Sequence, residues 1–244
     1  MFRALRQAAL AAPFILAACD GASSEAPTDD AKTETPAGGA AQPTAENSGD
    51  DVVIAASDMV LGNENAPVTI IEYASVTCPG CAAFHAGMLP ELKEKYIDTG
   101  KAKFVFREFP TPPVEFSYIG SLLARCAADK SGKDSYFLVI DALFKNQRQW
   151  IYGDDPKLEL TKIASQVGMD EAQFDACLQR QELIDAMNER IEEARTKYDV
   201  SSTPSFVING EPTRIGSLED FTKILDEALG EDAQAPEETG ENPQ

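Results

Sequence analysis

Positive charge is scarce in this chain: its 244 residues carry 21 Lys and Arg against 41 Asp and Glu, a formal net charge of −20. That balance argues against nucleic acid as a partner and against adhesion to an anionic lipid surface by charge. Long apolar runs are also missing. Beyond the stretch from Ala8 to Ala18, no segment approaches the roughly 20 apolar residues that a helical bilayer span requires. Histidine is represented by His85 alone; the CxxC spacing of Cys78 and Cys81 also serves zinc sites, but Cys126 and Cys177 lie at spacings unlike any common zinc motif, so a metal site is not expected. No internal repeat is visible. What remains is ordinary for a globular protein: hydrophobic residues make up 43% of the chain, enough to build a core as one large domain or two small ones.

Residues 1–19 read as an export signal, with Arg3 and Arg6 in a basic start ahead of the apolar run. The run ends in Leu16-Ala17-Ala18-Cys19, which resembles the bacterial lipobox, in which the cysteine becomes the lipid-bearing first residue. The plainer alternative is an ordinary signal cleaved nearby, with Cys19 discarded. Asp20 leans towards retention in the inner membrane. Cysteine arithmetic favours lipidation, because an odd thiol is awkward in an oxidising compartment. Removing Cys19 from the count leaves the close pair Cys78 and Cys81 and the distant pair Cys126 and Cys177.

Residues 20–56 are rich in Ala, Pro, Thr, Ser, Gly and acid and cannot form a core; as a flexible tether they would span roughly 35 Å. Residues 230–244 read as a second disordered acidic tail. Between these flanks, Val68–Tyr73 has the pattern of a buried strand, broken only by Glu72. A helix follows from near Cys78, with Phe84, Met88 and Leu92 on one face; Pro90 either kinks it or opens a second helical piece. Lys103–Phe109 reads as the next strand, and this β, α, β order predicts a parallel pairing. Residues 113–197 carry apolar residues at helical spacing, as in Phe116, Ile119 and Leu123, and are expected to be all helical. Ser205–Ile208 then reads as a strand, Asn209-Gly210 as a hairpin turn, Thr213–Ile215 as the returning strand, and Ser217 as the N-cap of a last helix ending near Leu229.

Cys78-Pro79-Gly80-Cys81 falls where a strand gives way to a helix. Unpaired N–H groups and the helix dipole there favour a thiolate, so Cys78 is the expected attacking sulfur, with Cys81 three residues on to close or resolve a disulfide. Covalent haem attachment is excluded by Ala82, which stands where a histidine would be needed. A purely structural disulfide so short constrains few residues, which leaves redox work as the better reading.

The run from Glu72 to Cys81, followed by Phe84-His85 and by Phe104–Pro110, resembles the DsbA-like thioredoxin-fold proteins across residues 57–229. The resemblance implies an α/β thioredoxin fold, built from 57–112 and 198–229, with an inserted all-helical domain at 113–197. It also implies a cis-proline facing the cysteines, a place that Thr203-Pro204 fits, with Thr203 offering backbone to an incoming peptide. At Glu72 it implies a buried acid that exchanges protons with Cys81, whereas pattern alone is equally compatible with a solvated acid on an edge strand. Some DsbA-like proteins carry a second disulfide in the helical domain, and the resemblance favours one between Cys126 and Cys177, with unpaired buried cysteines as the alternative. His85, two turns beyond Cys78, reads as a surface or packing residue out of reach of the sulfur. Strongly oxidising members have a histidine between the cysteines where this chain has Pro79-Gly80, so a lower potential is expected.

Together these readings imply a periplasmic monomer, anchored through Cys19, that needs no cofactor. It would donate disulfides to exported cysteine-containing proteins and be reoxidised by a membrane redox partner. A reductase or isomerase using the same site, and a non-catalytic tethered binding module, are the alternatives.

Overall fold

The computed structural model describes residues 53–230; the expected export signal with Cys19, nearly all of the expected tether and all but Gly230 of the expected acidic tail lie outside the described residues. The central strand is β2, Val68–Ala74, buried at all seven positions. Chain order gives β1 (Met59–Leu61), β2, helix α1 (Pro79–Leu92), β3 (Ala102–Glu108), six helices, then β4 (Ser205–Ile208), β5 (Glu211–Thr213) and α8 (Leu218–Leu229). The six are α2 (Val114–Ser131), α3 (Lys133–Lys145), α4 (Gln147–Tyr152), α5 (Pro156–Gln166), α6 (Glu171–Cys177) and α7 (Gln181–Tyr198).

The sheet order is β1-β3-β2-β4-β5. β2 runs parallel to β3, as the β, α, β order predicts, and antiparallel to β4. β1 joins β3 in antiparallel register, Met59 opposite Phe106; three residues are too few for a periodic signal, and the sequence gives no hint of this strand. The turn Asn209-Gly210 has positive φ at both residues (48° and 92°), so pairing resumes at once with Ile208 opposite Glu211. The returning strand therefore starts two residues earlier than expected, and Arg214 and Ile215 lie beyond it.

Alternation along the strands splits the core between two faces. Ile70, Phe104, Phe106, Phe206 and Ile208 pack under Phe84 of α1 and Phe221 of α8, and this cluster continues into the helical block through Leu123, Tyr136, Trp150 and Phe174. Ile71, Tyr73, Val105 and Val207 face the other way, against Ile191, Ala194 and Tyr198 of α7. Pro90 stays within α1. It removes one backbone donor, and the helix continues into a wider π-turn over Lys93–Ile97 rather than restarting. Ser217 caps α8 by accepting from the N–H of Asp220 at 3.1 Å.

Two buried arginines fasten the start of the described chain. Arg107 Nε and Nη2 donate to Asp58 at 3.1 and 2.8 Å, and Nη2 also reaches the carbonyl of Val53. Arg125 holds Glu108 through two bonds and donates to the carbonyl of Ser57, while Tyr136 gives its hydroxyl to Glu108 at 2.9 Å. Each buried charge thus has a partner, the condition under which a buried ion pair is tolerated.

Candidate active site

Cys78 occupies the N-cap of α1, extended at φ −78° and ψ 122°, with Pro79 at the first helical position, where its missing N–H costs nothing. Cys78 is half-buried and Cys81 fully buried, both as free thiols. The thiol of Cys78 donates to the carbonyl of Thr203 at 3.3 Å, and the Thr203–Pro204 peptide is cis. Gly80 passes close beneath this loop: a methyl group there would stand 3.2 Å from Pro204 Cδ and 3.6 Å from Cys78 Sγ.

The two sulfurs are unequal. A hydrogen bond from the Cys81 thiol, with lesser ones from the Thr203 side chain and the backbone N–H groups of Cys81 and Gly80, brings Cys78 down to about 5 against the pull of partial burial. Burial, the neighbouring Cys78 and the charge of Glu72 all push Cys81 far up. At neutral pH the reduced site therefore holds one thiolate and one thiol.

Glu72 is fully buried, because β2 is flanked on both sides by other strands and Glu72 points to the α1 face. The edge-strand alternative falls for that reason. Burial raises its pKa, opposed by His85, whose Nε2 lies 2.7 Å from Glu72 Oε2. Glu72 Oε1 is buried and without a hydrogen-bond partner. His85 is thus a packing residue rather than a surface one, and its ring also contacts the buried acid. Its ring sits among Phe84, Phe104, Phe106 and Phe144, with centroids 4.4–6.1 Å away.

The helical block supplies contacts that the sequence reading did not find. Gln147 of α4 donates through Nε2 to the carbonyls of Val76 (2.9 Å) and Cys78 (3.1 Å). Ser75 joins Thr77 and Ser117 by hydroxyl contacts of 2.8 Å, and Thr77 donates to the carbonyl of Thr111. Gln147 stands in the polar run Lys145-Asn146-Gln147-Arg148-Gln149, so nothing in the sequence singles it out. Cys126 and Cys177 stand apart from this centre, bonded to each other between α2 and α6. Among the described residues, no three His, Cys, Asp or Glu side chains converge to hold a metal ion.

A family model described as thioredoxin matches residues 55–227. The chain belongs to the thioredoxin family. A relative from Rickettsia bellii (strain RML369-C), provisionally named a protein-disulfide oxidoreductase, is 33% identical over 175 residues, 72% of this chain and 66% of its own. The chain spans slightly less than two thirds of the length of that relative and 64% of its Rickettsia prowazekii counterpart. Disulfide bond formation protein D of Bacillus subtilis (strain 168) is 28% identical over 176 residues, 68% of this chain and 72% of its own. Among solved structures, alpha-DsbA1 of Wolbachia pipientis superposes with a TM-score of 0.64 at 30% identity, covering 73% of this chain and 94% of that one. The fold class is accordingly a DsbA-like thioredoxin fold with a helical insertion between β3 and β4.

Proposed function

We propose that this thioredoxin-family protein is an extracytoplasmic thiol:disulfide oxidoreductase that donates the Cys78–Cys81 disulfide to exported cysteine-containing proteins. The observation that carries the reading is the asymmetry of the pair: a half-buried Cys78 held as thiolate at a helix N-terminus, and a buried Cys81 held as thiol.

In the oxidised protein a substrate thiolate attacks Cys78 Sγ, the Cys78–Cys81 bond breaks, and Cys81 leaves with the electron pair. Glu72, with its raised pKa, supplies the proton that Cys81 takes up. A second substrate thiolate then displaces Cys78. Two electrons have passed to the cysteine pair, and the substrate has gained a disulfide. Thr203 and Pro204 border the attacked sulfur, where an extended peptide can pair with the Thr203 backbone. The stable Cys78 thiolate favours the reduced protein, which makes it an oxidant of its substrates. The domain division at 57–112, 113–197 and 198–229, anchoring in the inner membrane through Cys19, a monomeric state and reoxidation by a membrane partner complete the proposal.

The reduction potential in glutathione buffers tests the direction. A value near about −120 mV marks a disulfide donor; one near about −270 mV moves the assignment to a reductase, which the Pro79-Gly80 pair favours. Replacement C81A should trap Cys78 in mixed disulfides with substrates. Absence of any adduct leaves the binding module as the surviving reading.

A further inference from the structure

We propose that His85 is a positioning residue that relays protons between Glu72 and a solvent groove on the flank of α1, away from the face that a bound substrate covers. The inference rests on the disulfide-exchange reading above.

Each exchange must move one proton to or from Cys81, which is fully buried, and the adjoining carboxyl of Glu72 is buried as well. When a peptide lies across Thr203 and Cys78, water is excluded from the open side of the site. His85 offers a second way out. Its Nε2 is 2.7 Å from Glu72 Oε2, and its ring, with 7% of the side chain exposed, lines a groove of about 420 Å3 between α1 and α3. Leu89, Pro90, Phe137 and Ile140 form the apolar walls of this groove. Seven residues of helix separate His85 from Cys78, about 10 Å along the axis, so the groove stays open beyond the footprint of the reacting peptide.

The surroundings suit a relay. Four phenylalanines fix the plane of the imidazole and shield it elsewhere. The charged groups at the mouth are Lys93, Asp134 and Asp141, with Lys93 paired to Asp98 at 2.5 Å. The ionisable groups on the inner side are Glu72, Cys78 and Cys81; Tyr136 and Glu108 are engaged with each other and with Arg125. An imidazole accepts a proton at one ring nitrogen and releases one at the other. As Cys81 leaves Cys78, the Glu72 proton passes to Cys81. The proton on His85 Nε2 passes to Glu72, and Nδ1 takes up its replacement from water in the groove.

The test follows reduction of the oxidised protein by stopped flow, with dithiothreitol, which leaves the front of the site open to water, and with a peptide dithiol that covers it. In H85Q the amide still donates to Glu72 but cannot relay. Its slowing is expected to be about tenfold greater for the peptide than for dithiothreitol, with a changed pH profile for the peptide alone. In H85A, added imidazole should restore the peptide rate. Equal slowing with both thiols, no slowing, or failure of imidazole to restore H85A overturns the relay. Wild-type protein inert towards both thiols overturns the exchange reading itself, so the two failures are distinguishable.

Discussion

The stabilised thiolate makes reduced folding pH-dependent in a direction that can be worked out. Cys78 titrates at about 5 in the folded reduced protein, below its ordinary value of 9.0. A depressed folded pKa contributes stability that is fully present above the unfolded value and lost as pH falls through the folded one. At pH 7 the unfolded thiol is still protonated, so the contribution there spans the interval from about 5 to 7. At about 1.36 kcal/mol per pH unit, that is about 2.7 kcal/mol. Cys78 is half-exposed, and screening by solvent halves the figure to about 1.4 kcal/mol. Urea unfolding of the reduced protein at pH 7 and pH 4 should therefore show this much more loss than C78S, which lacks the ionising thiol. Absorbance at 240 nm should report thiolate appearing around pH 5. A midpoint near the ordinary 9.0, with identical pH dependence in C78S, would refute the account of Cys78 as an anion stabilised chiefly by the Cys81 thiol.

Three further outcomes follow from the packing. Replacing both Cys126 and Cys177 by alanine reopens a loop with a sequence separation of 51 residues, and chemical denaturation should show a loss of roughly 4 kcal/mol, with Cys78 still reactive towards iodoacetamide. E72Q removes the buried acid while keeping its shape, and oxidation of a peptide dithiol should slow about a hundredfold in stopped-flow traces. R125A strands Glu108 in the core without its guanidinium, which should cost about 3–5 kcal/mol in urea; the double variant R125A/E108A should recover part of that loss.

The cysteine centre was readable because its signal is local. A CxxC motif between a strand and a helix specifies its own geometry, and Ser217 and Asn209-Gly210 announce their elements within four residues. Glu72 was ambiguous because nothing in Val68–Ala74 says whether a strand has neighbours on one side or two; that is decided by β3 and β4, whose residues opposite Glu72, Phe106 and Phe206, are 100 positions apart in the chain. His85 hides its contact with Glu72 for a related reason. Its distance to Cys78 along α1 can be counted from the sequence, whereas its real partner lies 13 residues upstream on the strand beneath. Gln147 reaches the backbone of Cys78 from 69 residues away, on a six-residue helix too short to show a period. Residues whose function depends on which elements become neighbours leave little trace in the sequence.

That Gln147 contact also bears on how such a protein can be re-engineered. One amide holds the carbonyls on either side of Thr77, so the helical insertion sets the height of the reactive loop above the sheet. A chimera that keeps the sheet half and exchanges the insertion would carry the same four-residue motif with a different redox poise, and trimming the insertion away would release the loop from its gauge.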